Sequence, residues 1–326
     1  MKHIVASLVV TALGVAIVPM AGAAAFPEEG RPIKIVVPYT AGGSSDYVAR
    51  LVASKIAENS KHDIVVENKP GGSTILGGNY VARSAPNGYT VYLISEVTNG
   101  SLPALNKNLP YDPATAFAGI SNMVESPLVI AVRPSFPAKD LKEFTEYIRA
   151  NPGVVTYGSA GAGNTLHLAG AKFAADNGLE MTHVPYKGAS QALIDLVAGR
   201  IDVMFDLPQT PLPHIQDGKL RALAVTGKER LSFLPDVPTT AEAGMPNYTF
   251  STRIGLAVPA DTPQEAKQWL HQQTLKAMND PDVKKAFAER ALFNATHDKP
   301  EDYDKDLRAA VDSIGQLLRN AGVQPQ

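Results

Sequence analysis

Two stretches of the chain carry glycines where a β-rich run gives way to an apolar run of helical period. The first is Ile33-Lys34-Ile35-Val36-Val37-Pro38-Tyr39-Thr40-Ala41-Gly42-Gly43-Ser44-Ser45-Asp46-Tyr47-Val48-Ala49-Arg50. Its pattern predicts a buried strand, a tight turn at Gly42-Gly43, and a helix capped by Ser44, Ser45 or Asp46 with Val48, Leu51, Val52 and Ile56 on its inner face. The second is Val154-Val155-Thr156-Tyr157-Gly158-Ser159-Ala160-Gly161-Ala162-Gly163-Asn164-Thr165-Leu166-His167-Leu168-Ala169-Gly170. There Asn164 or Thr165 can cap, and Leu166, Ala169, Gly170 and Phe173 face inward. A helix start presents unpaired N–H groups with the positive end of the helix dipole behind them, which suits a carboxylate, sulfate or phosphate if the turn is open to ligand. Ordinary βα turns use the same residue types, so the pattern alone leaves both readings standing.

Other reactive chemistry is poorly supported. The chain has no cysteine, which excludes thiol catalysis and thiolate metal sites. There is no G-x-S-x-G elbow around Ser44 or Ser159, no H-E-x-x-H, no Walker A, and no carboxylate pair whose spacing marks an acid and a base. His167 lies one turn into the second helix without an identifiable partner, and reads as a packing or hydrogen-bonding residue rather than a base. The sequence therefore calls for no catalytic residue, no metal and no cofactor.

The elements that must position the two turns alternate along the chain. Strands are expected at 33–37, 64–66, 90–95, 128–132, 154–157, 201–205, 220–225 and 255–258, and helices at 46–58, 74–84, 140–150, 166–177 and 189–198. From Thr262-Pro263-Gln264-Glu265, which reads as a capping box with Pro at the first helical position, only helices are expected, broken near 279–281 and 294–300. Residues 1–25 lead with Lys2 and His3, continue as an apolar run and end in Ala23-Ala24-Ala25, the layout of a cleaved secretory signal peptide rather than of a membrane anchor. Its removal takes one lysine from 30 basic against 32 acidic side chains. That balance favours neither nucleic acid nor an anionic membrane surface. With no cysteine to carry a lipid, the expectation is a freely diffusing periplasmic protein of two domains, held by its core alone.

A series of short motifs then resembles one family. They are Val36-Val37-Pro38 with Gly42-Gly43 and Asp46, Val66-Glu67-Asn68-Lys69-Pro70-Gly71, Ala85-Pro86-Asn87-Gly88-Tyr89-Thr90, and Leu109-Pro110-Tyr111-Asp112-Pro113. They continue with Tyr157-Gly158-Ser159-Ala160-Gly161, His167-Leu168-Ala169-Gly170, Val184-Pro185-Tyr186-Lys187-Gly188, 218–226, Leu234-Pro235-Asp236-Val237-Pro238-Thr239 and Glu242-Ala243-Gly244. Their order over nearly the whole chain resembles the Bug-type solute-binding proteins of the tripartite tricarboxylate transporter family.

The resemblance implies an α/β, two-domain periplasmic binding protein of type II-like flytrap form, crossed by two segments near 123–126 and 248–253. Domain 1 would be 26–125 plus 250–326, including the helical tail, and domain 2 would be 126–249. It also implies a monomer that hands a carboxylate to permease subunits by transient contact. A ligand-sensing protein for a receptor kinase and a periplasmic hydrolase are the alternatives. Carried over to this chain, the ligand residues are Tyr39, Thr40, Ala41, Gly43 and Ser44 on one side and Ser159, Gly161, Gly163, Asn164 and Thr165 on the other. Asp206 matches a position that can face the cleft. Where the family commonly has an aromatic residue before Gly255, this chain has Arg253. An arginine there either meets a second ligand carboxylate or forms a hinge salt bridge, and the first reading leads to a dicarboxylate such as terephthalate. Tyr39, Tyr186, Phe205 and Phe250 are the aromatic candidates for flanking a ring.

Overall fold

The computed structural model describes residues 26–186, 188–320 and 322, so the signal peptide expected at 1–25 lies outside the described residues. The first elements are β1 (Ile33–Val37), α1 (Ser44–Ser60), β2 (Ile64–Asn68), α2 (Ile75–Ala82), β3 (Thr90–Ser95), α3 (Glu96–Leu105) and β4 (Phe117–Pro127). The middle runs β5 (Val129–Val132), α4 (Leu141–Ala150), β6 (Thr156–Ser159), α5 (Thr165–Asn177), β7 (Thr182–Pro185), α6 (Ala189–Val197), β8 (Val203–Asp206), α7 (Leu212–Gln216) and β9 (Arg221–Val225). Then come β10 (Ser251–Pro259), α8 (Gln264–Asn279), α9 (Pro281–Ala288), β11 (Phe293–Asn294) and α10 (Pro300–Asn320).

These strands form two mixed sheets, ordered β11-β4-β10-β3-β1-β2 and β7-β6-β8-β5-β9. β1 is a run of Ile, Lys and Val paired in parallel on both sides, and its apolar residues are buried on both faces. One face of the first sheet carries α1, α8 and α9 through Val48, Val52, Leu270 and Phe287; the other carries α2 and α10 through Val81, Tyr303 and Leu307. The second sheet is likewise covered by α4 and α5 on one face and α6 on the other. The α/β class expected from the sequence is what the chain adopts.

The chain leaves the first sheet at Pro127, enters the second at Val129 and returns at Ser251. Thr226 ties the two passages together. Its hydroxyl accepts the Leu128 N–H at 2.8 Å and donates to the Phe250 carbonyl at 2.5 Å, while Thr226 N–H donates to Leu128 O and Phe250 N–H to Thr226 O. A fully buried hydroxyl used as both donor and acceptor lets the crossings run side by side with their backbone groups satisfied.

Several local expectations are corrected. β4 is the longest strand, yet Ser121, Asn122 and Ser126 are buried in it, and their polarity hides it from an apolar-periodicity reading. α3 contains Asn99, Gly100 and Pro103 and is equally hidden. The Thr262 capping box does not form: Thr262 Oγ1 donates to Pro259 O, and Pro263 occupies the cap of α8.

α10 lies against α3 and β4, and close approach depends on glycine in both. A Cβ on Gly100 would stand 2.5 Å from Ala310 O, and one on Gly119 would stand 2.8 Å from Asp304 N. At its far end α10 meets the second sheet's helices, where Leu318 packs with Val97 and Ala104 of α3 and Leu168 of α5. Replacing Gly100 by Ala should therefore push α10 outward and cost about 1 to 3 kcal/mol, read as a lower urea midpoint at unchanged slope.

Candidate ligand-binding site

The first turn is built by Asp46. Its carboxylate comes back from the first turn of α1 to accept the Gly42 N–H at 2.9 Å, and also takes Arg50 Nε at 2.9 Å and Asn68 Nδ2 at 2.9 Å. Asn68 Nδ2 reaches Tyr39 O at 3.0 Å as well, which fixes the entry to the turn. The Arg50 guanidinium, with further donors from Gly42 and Asn68, holds the Asp46 carboxyl down at about 2 against the opposing cost of burial. Gly42 has φ +85° and needs glycine; Gly43, at φ −81°, is the N-cap and does not.

No side chain caps α1. The expected caps Ser44, Ser45 and Asp46 sit inside the helix instead, Asp46 being occupied with Gly42. The first-turn N–H groups of Ser44, Ser45 and Asp46 thus lack intrahelical acceptors, and residues 40–44 are exposed. This turn has the open mouth that anion binding requires.

The second turn is closed by the same geometry with different chemistry. His167, again four residues after the glycine it serves, accepts the Gly163 N–H on Nδ1 at 2.9 Å. Asn164 is the cap expected, its Oδ1 accepting the His167 N–H at 2.9 Å. Ser159 Oγ accepts the Gly161 N–H at 3.1 Å and donates to Gly161 O at 3.0 Å, and it stands 2.6 Å from His183 Nε2. Gly161 and Gly163, at φ +118° and +73°, shape this turn, but their N–H groups are spent within it. The helix donors left over are those of Thr165 and Leu166.

α3 links the two turns. Its Thr98 hydroxyl is 3.2 Å from Tyr39 Oη, while at its other end Leu105 blocks any side chain at Gly163, whose Cβ would fall 2.1 Å from Leu105 Cδ1. Thr98 and Leu105 are roughly 10 Å apart along the helix, so the turns flank one short rod. On the opposite side Gln209 Nε2 donates to Arg290 O, and Arg290 reaches Tyr47 of α1.

Asp206 ends β8, which runs parallel to β6 with Gly158 beside Met204, and so lies next to the start of the second turn. Its Oδ1 accepts the Leu207 N–H, but Oδ2 is buried without a partner. Burial pushes its pKa up to about 7. Of the aromatic candidates, Tyr39 and Tyr186 adjoin the turns, Tyr186 N–H donating to Ser159 O. Phe205 does not: it is fully buried against Phe173.

Arg253 makes the salt bridges of the second alternative. It lies opposite Glu125 in the β4–β10 pair, with Nε 3.4 Å from Glu125, and Nη1 3.5 Å from both Glu96 and Asp306. It lines a cavity of about 880 Å³ together with Glu96, Glu125, Phe250 and Asp306, and no residue of either turn lines it. These carboxylates engage Nε and Nη1 of the guanidinium. The physical reason is excess acid: burial pushes Glu96 up to about 7 even with Arg253 beside it.

Sequence reasoning missed Thr98, Asn68 and His183, and gave His167 no partner. Only spacing could have exposed the last, since Asp46 and His167 stand equally far from Gly42 and Gly163. Ser159 and His183 are not a nucleophile and base. Ser159 is fully buried, and burial lowers the His183 pKa to about 4. Among the described residues no group of three or more His, Asp or Glu could hold a metal, and no helix is long and apolar enough to cross a membrane.

Asp46→Ala should cost about 2 to 3 kcal/mol at pH 7 in chemical unfolding, since it strips a buried carboxylate from three donors. Asp46 has its pKa depressed from 3.8, so its contribution is complete above about pH 4 and is lost as pH falls toward 2. The variant should lack that acid limb. Arg253→Met should leave the ratio of mono- to dicarboxylate affinity unchanged in calorimetry. It should also cost about 1 kcal/mol of stability, because its partly exposed partners are screened. Glu96 is raised from 4.5, so its stabilising protonation fades as pH climbs toward 7, and the Arg253 variant should lose stability over that range. A tenfold loss confined to the dicarboxylate would return Arg253 to the ligand.

The sequence profile described as the tripartite tricarboxylate transporter family receptor (TctC) matches residues 48–323. Among solved structures, the periplasmic binding protein BugD is 32% identical, covers 92% of this chain and 100% of its own, and superposes with a TM-score of 0.75. Rpa4515 of R. palustris, solved with adipate, is 29% identical over 91% of this chain and 99% of its own, at a TM-score of 0.78. MatC (Rpa3494) of Rhodopseudomonas palustris, with bound malate, is 28% identical over 89% and 100%, at 0.73. With the profile matching most of the chain and BugD aligning over 92% of it, the chain belongs to the tripartite tricarboxylate transporter receptor family, the Bug-type periplasmic solute-binding proteins.

Proposed function

We propose that this chain is the receptor that captures a small dicarboxylate, of the size of malate or adipate, and presents it to the membrane subunits of a tripartite permease. The observation that carries the reading is the start of α1, exposed at 40–44, shaped by Asp46 and without a side-chain cap for its first-turn N–H groups. Relatives of the same fold hold adipate and malate, which supports a carboxylate of that class.

In this reading a ligand carboxylate rests against 40–44, with Tyr39 at its side, and the second lobe brings Thr165 and the Asn164 cap to it. Gly161, Gly163 and Ser159 act by shaping the second turn. The lobes, 26–125 with 250–326 and 126–249, close about the Thr226-tied crossings. Asp206, divided near neutrality between acid and anion, donates to a far carboxylate in one form and accepts from a ligand hydroxyl in the other. Arg253 is engaged elsewhere, so the case for an aromatic ligand such as terephthalate loses its second anchor.

Thermal-shift screening of the mature protein with adipate, malate and acetate, followed by calorimetry, tests this. One dicarboxylate should bind one to one, more tightly than acetate by at least about tenfold, and be recovered unchanged. Conversion of the ligand to a product would overturn the receptor reading.

A further inference from the structure

Both turns are closed by a side chain that returns to a glycine N–H, but the two closing groups titrate in different ranges. Asp46 is a carboxylate backed by Arg50 and Asn68. His167 is an imidazole with no charged partner. It is buried, and its ring stacks on His183 at 3.8 Å with an interplanar angle of 13°. Tyr157 of β6 packs on the same pair, 6.2 Å from His167 and 5.0 Å from His183. These are the titratable groups facing it, and among the described residues no carboxylate or cation enters its balance.

The hydrogen bonds fix the proton positions. Gly163 N–H donates to Nδ1, so Nδ1 carries no hydrogen and the proton of neutral His167 is on Nε2. A second proton could go only to Nδ1, where it would face the Gly163 N–H donor to donor. The stacked His183 opposes that charge further, as does burial. His183 serves the other glycine: Ser159 Oγ accepts the Gly161 N–H and donates to Gly161 O, so the Ser159–His183 contact is consistent with Nε2–H of His183 as donor.

We infer that neutral His167 is a positioning residue for the binding site, which sets the second turn by accepting the Gly163 N–H, and that acid opens this turn while leaving the first turn closed. The inference rests on the receptor reading only where it concerns ligand. Burial and His183 hold His167 at about 4, against 6.5 unperturbed, so the closed turn is favoured above pH 6.5 and lost progressively as pH falls toward 4. Asp46 keeps its charge until well below that range.

The test compares His167→Asn, whose Oδ1 replaces the Nδ1 acceptor but does not titrate, with His167→Phe, which keeps ring volume and removes the acceptor. Nitrogen NMR of the mature protein should show His167 as the Nε2–H tautomer at pH 7. Hydrogen exchange should find the Gly163 amide protected in the parent and the Asn variant and exposed in the Phe variant. With adipate as probe, the Phe variant should bind about tenfold more weakly at pH 7. The parent should lose affinity relative to the Asn variant between pH 6.5 and 4, a ratio from which ionisation of adipate itself cancels. Equal Gly163 protection in the parent and the Phe variant, or a protonated Nδ1 at pH 7, would overturn the inference. If adipate binds none of the three, adipate is not the ligand, while the tautomer and the exchange still decide the role of His167.

Discussion

The candidate binding face depends on one repeated constraint: a glycine N–H that the turn would otherwise leave open is closed by the side chain four residues later. Gly42 is closed by Asp46 and Gly163 by His167. A residue at that distance sits in the first turn of the helix, so its side chain can reach back only if the preceding backbone folds over the helix start. The helix axis and the turn are thereby locked together, and the remaining N–H groups acquire a fixed direction. What differs is cost. A buried carboxylate needs cations and donors, which Arg50 and Asn68 supply, whereas a neutral imidazole brings no charge to be offset.

The lobes are coupled by packing on one side and by charge on the other. α3 touches the first turn through Thr98 and abuts the second through Leu105, and its Val97 and Ala104 share a cluster with Leu168 and Leu318. A shift of either turn therefore presses on the same helix. The Glu96, Glu125, Asp306 and Arg253 cluster lies where β3, β4, β10 and α10 converge, and Glu96 begins α3 itself. Its acidic excess makes this junction sensitive to the protonation of Glu96 without placing any of its charge on the turns.

Most of the sheet and both glycine turns were legible in the sequence because β-branched runs bounded by Gly and Pro leave few other conformations. β1 and β3 fall where the residues put them. β4 and α3 were not legible, since each buries polar or helix-weakening residues whose partners are far away in sequence: Asn99 Nδ2 donates to Pro113 O, and Gly100 is dictated by Ala310. The turn residues were found by type, but their division of labour was not. Gly161 and Gly163 read as ligand donors until their N–H groups are traced to Ser159 and His167. Arg253 shows the same limit, because its three carboxylates come from α3, β4 and α10 and no local pattern joins them.

The magnitudes then assign the work among these parts. A helix start contributes roughly 0.3 to 1 kcal/mol to a nearby anion, up to about 2 when partly buried, while micromolar affinity requires about 8. The first lobe offers the N–H groups of Ser44, Ser45 and Asp46 and the second those of Thr165 and Leu166. At about 1.5 to 3 kcal/mol for each hydrogen bond to a charged group, neither set reaches that affinity after the entropy of immobilising the ligand is met. The proposed function therefore requires both lobes to engage the ligand together. Since the first turn is open and uncapped and the second has spent its glycine donors internally, the proposed function makes the first the landing site and the second the clamp. In that reading length and end-group selectivity come from groups beyond the turns, and Asp206, buried beside the second turn with one oxygen unpartnered, is the proposed source.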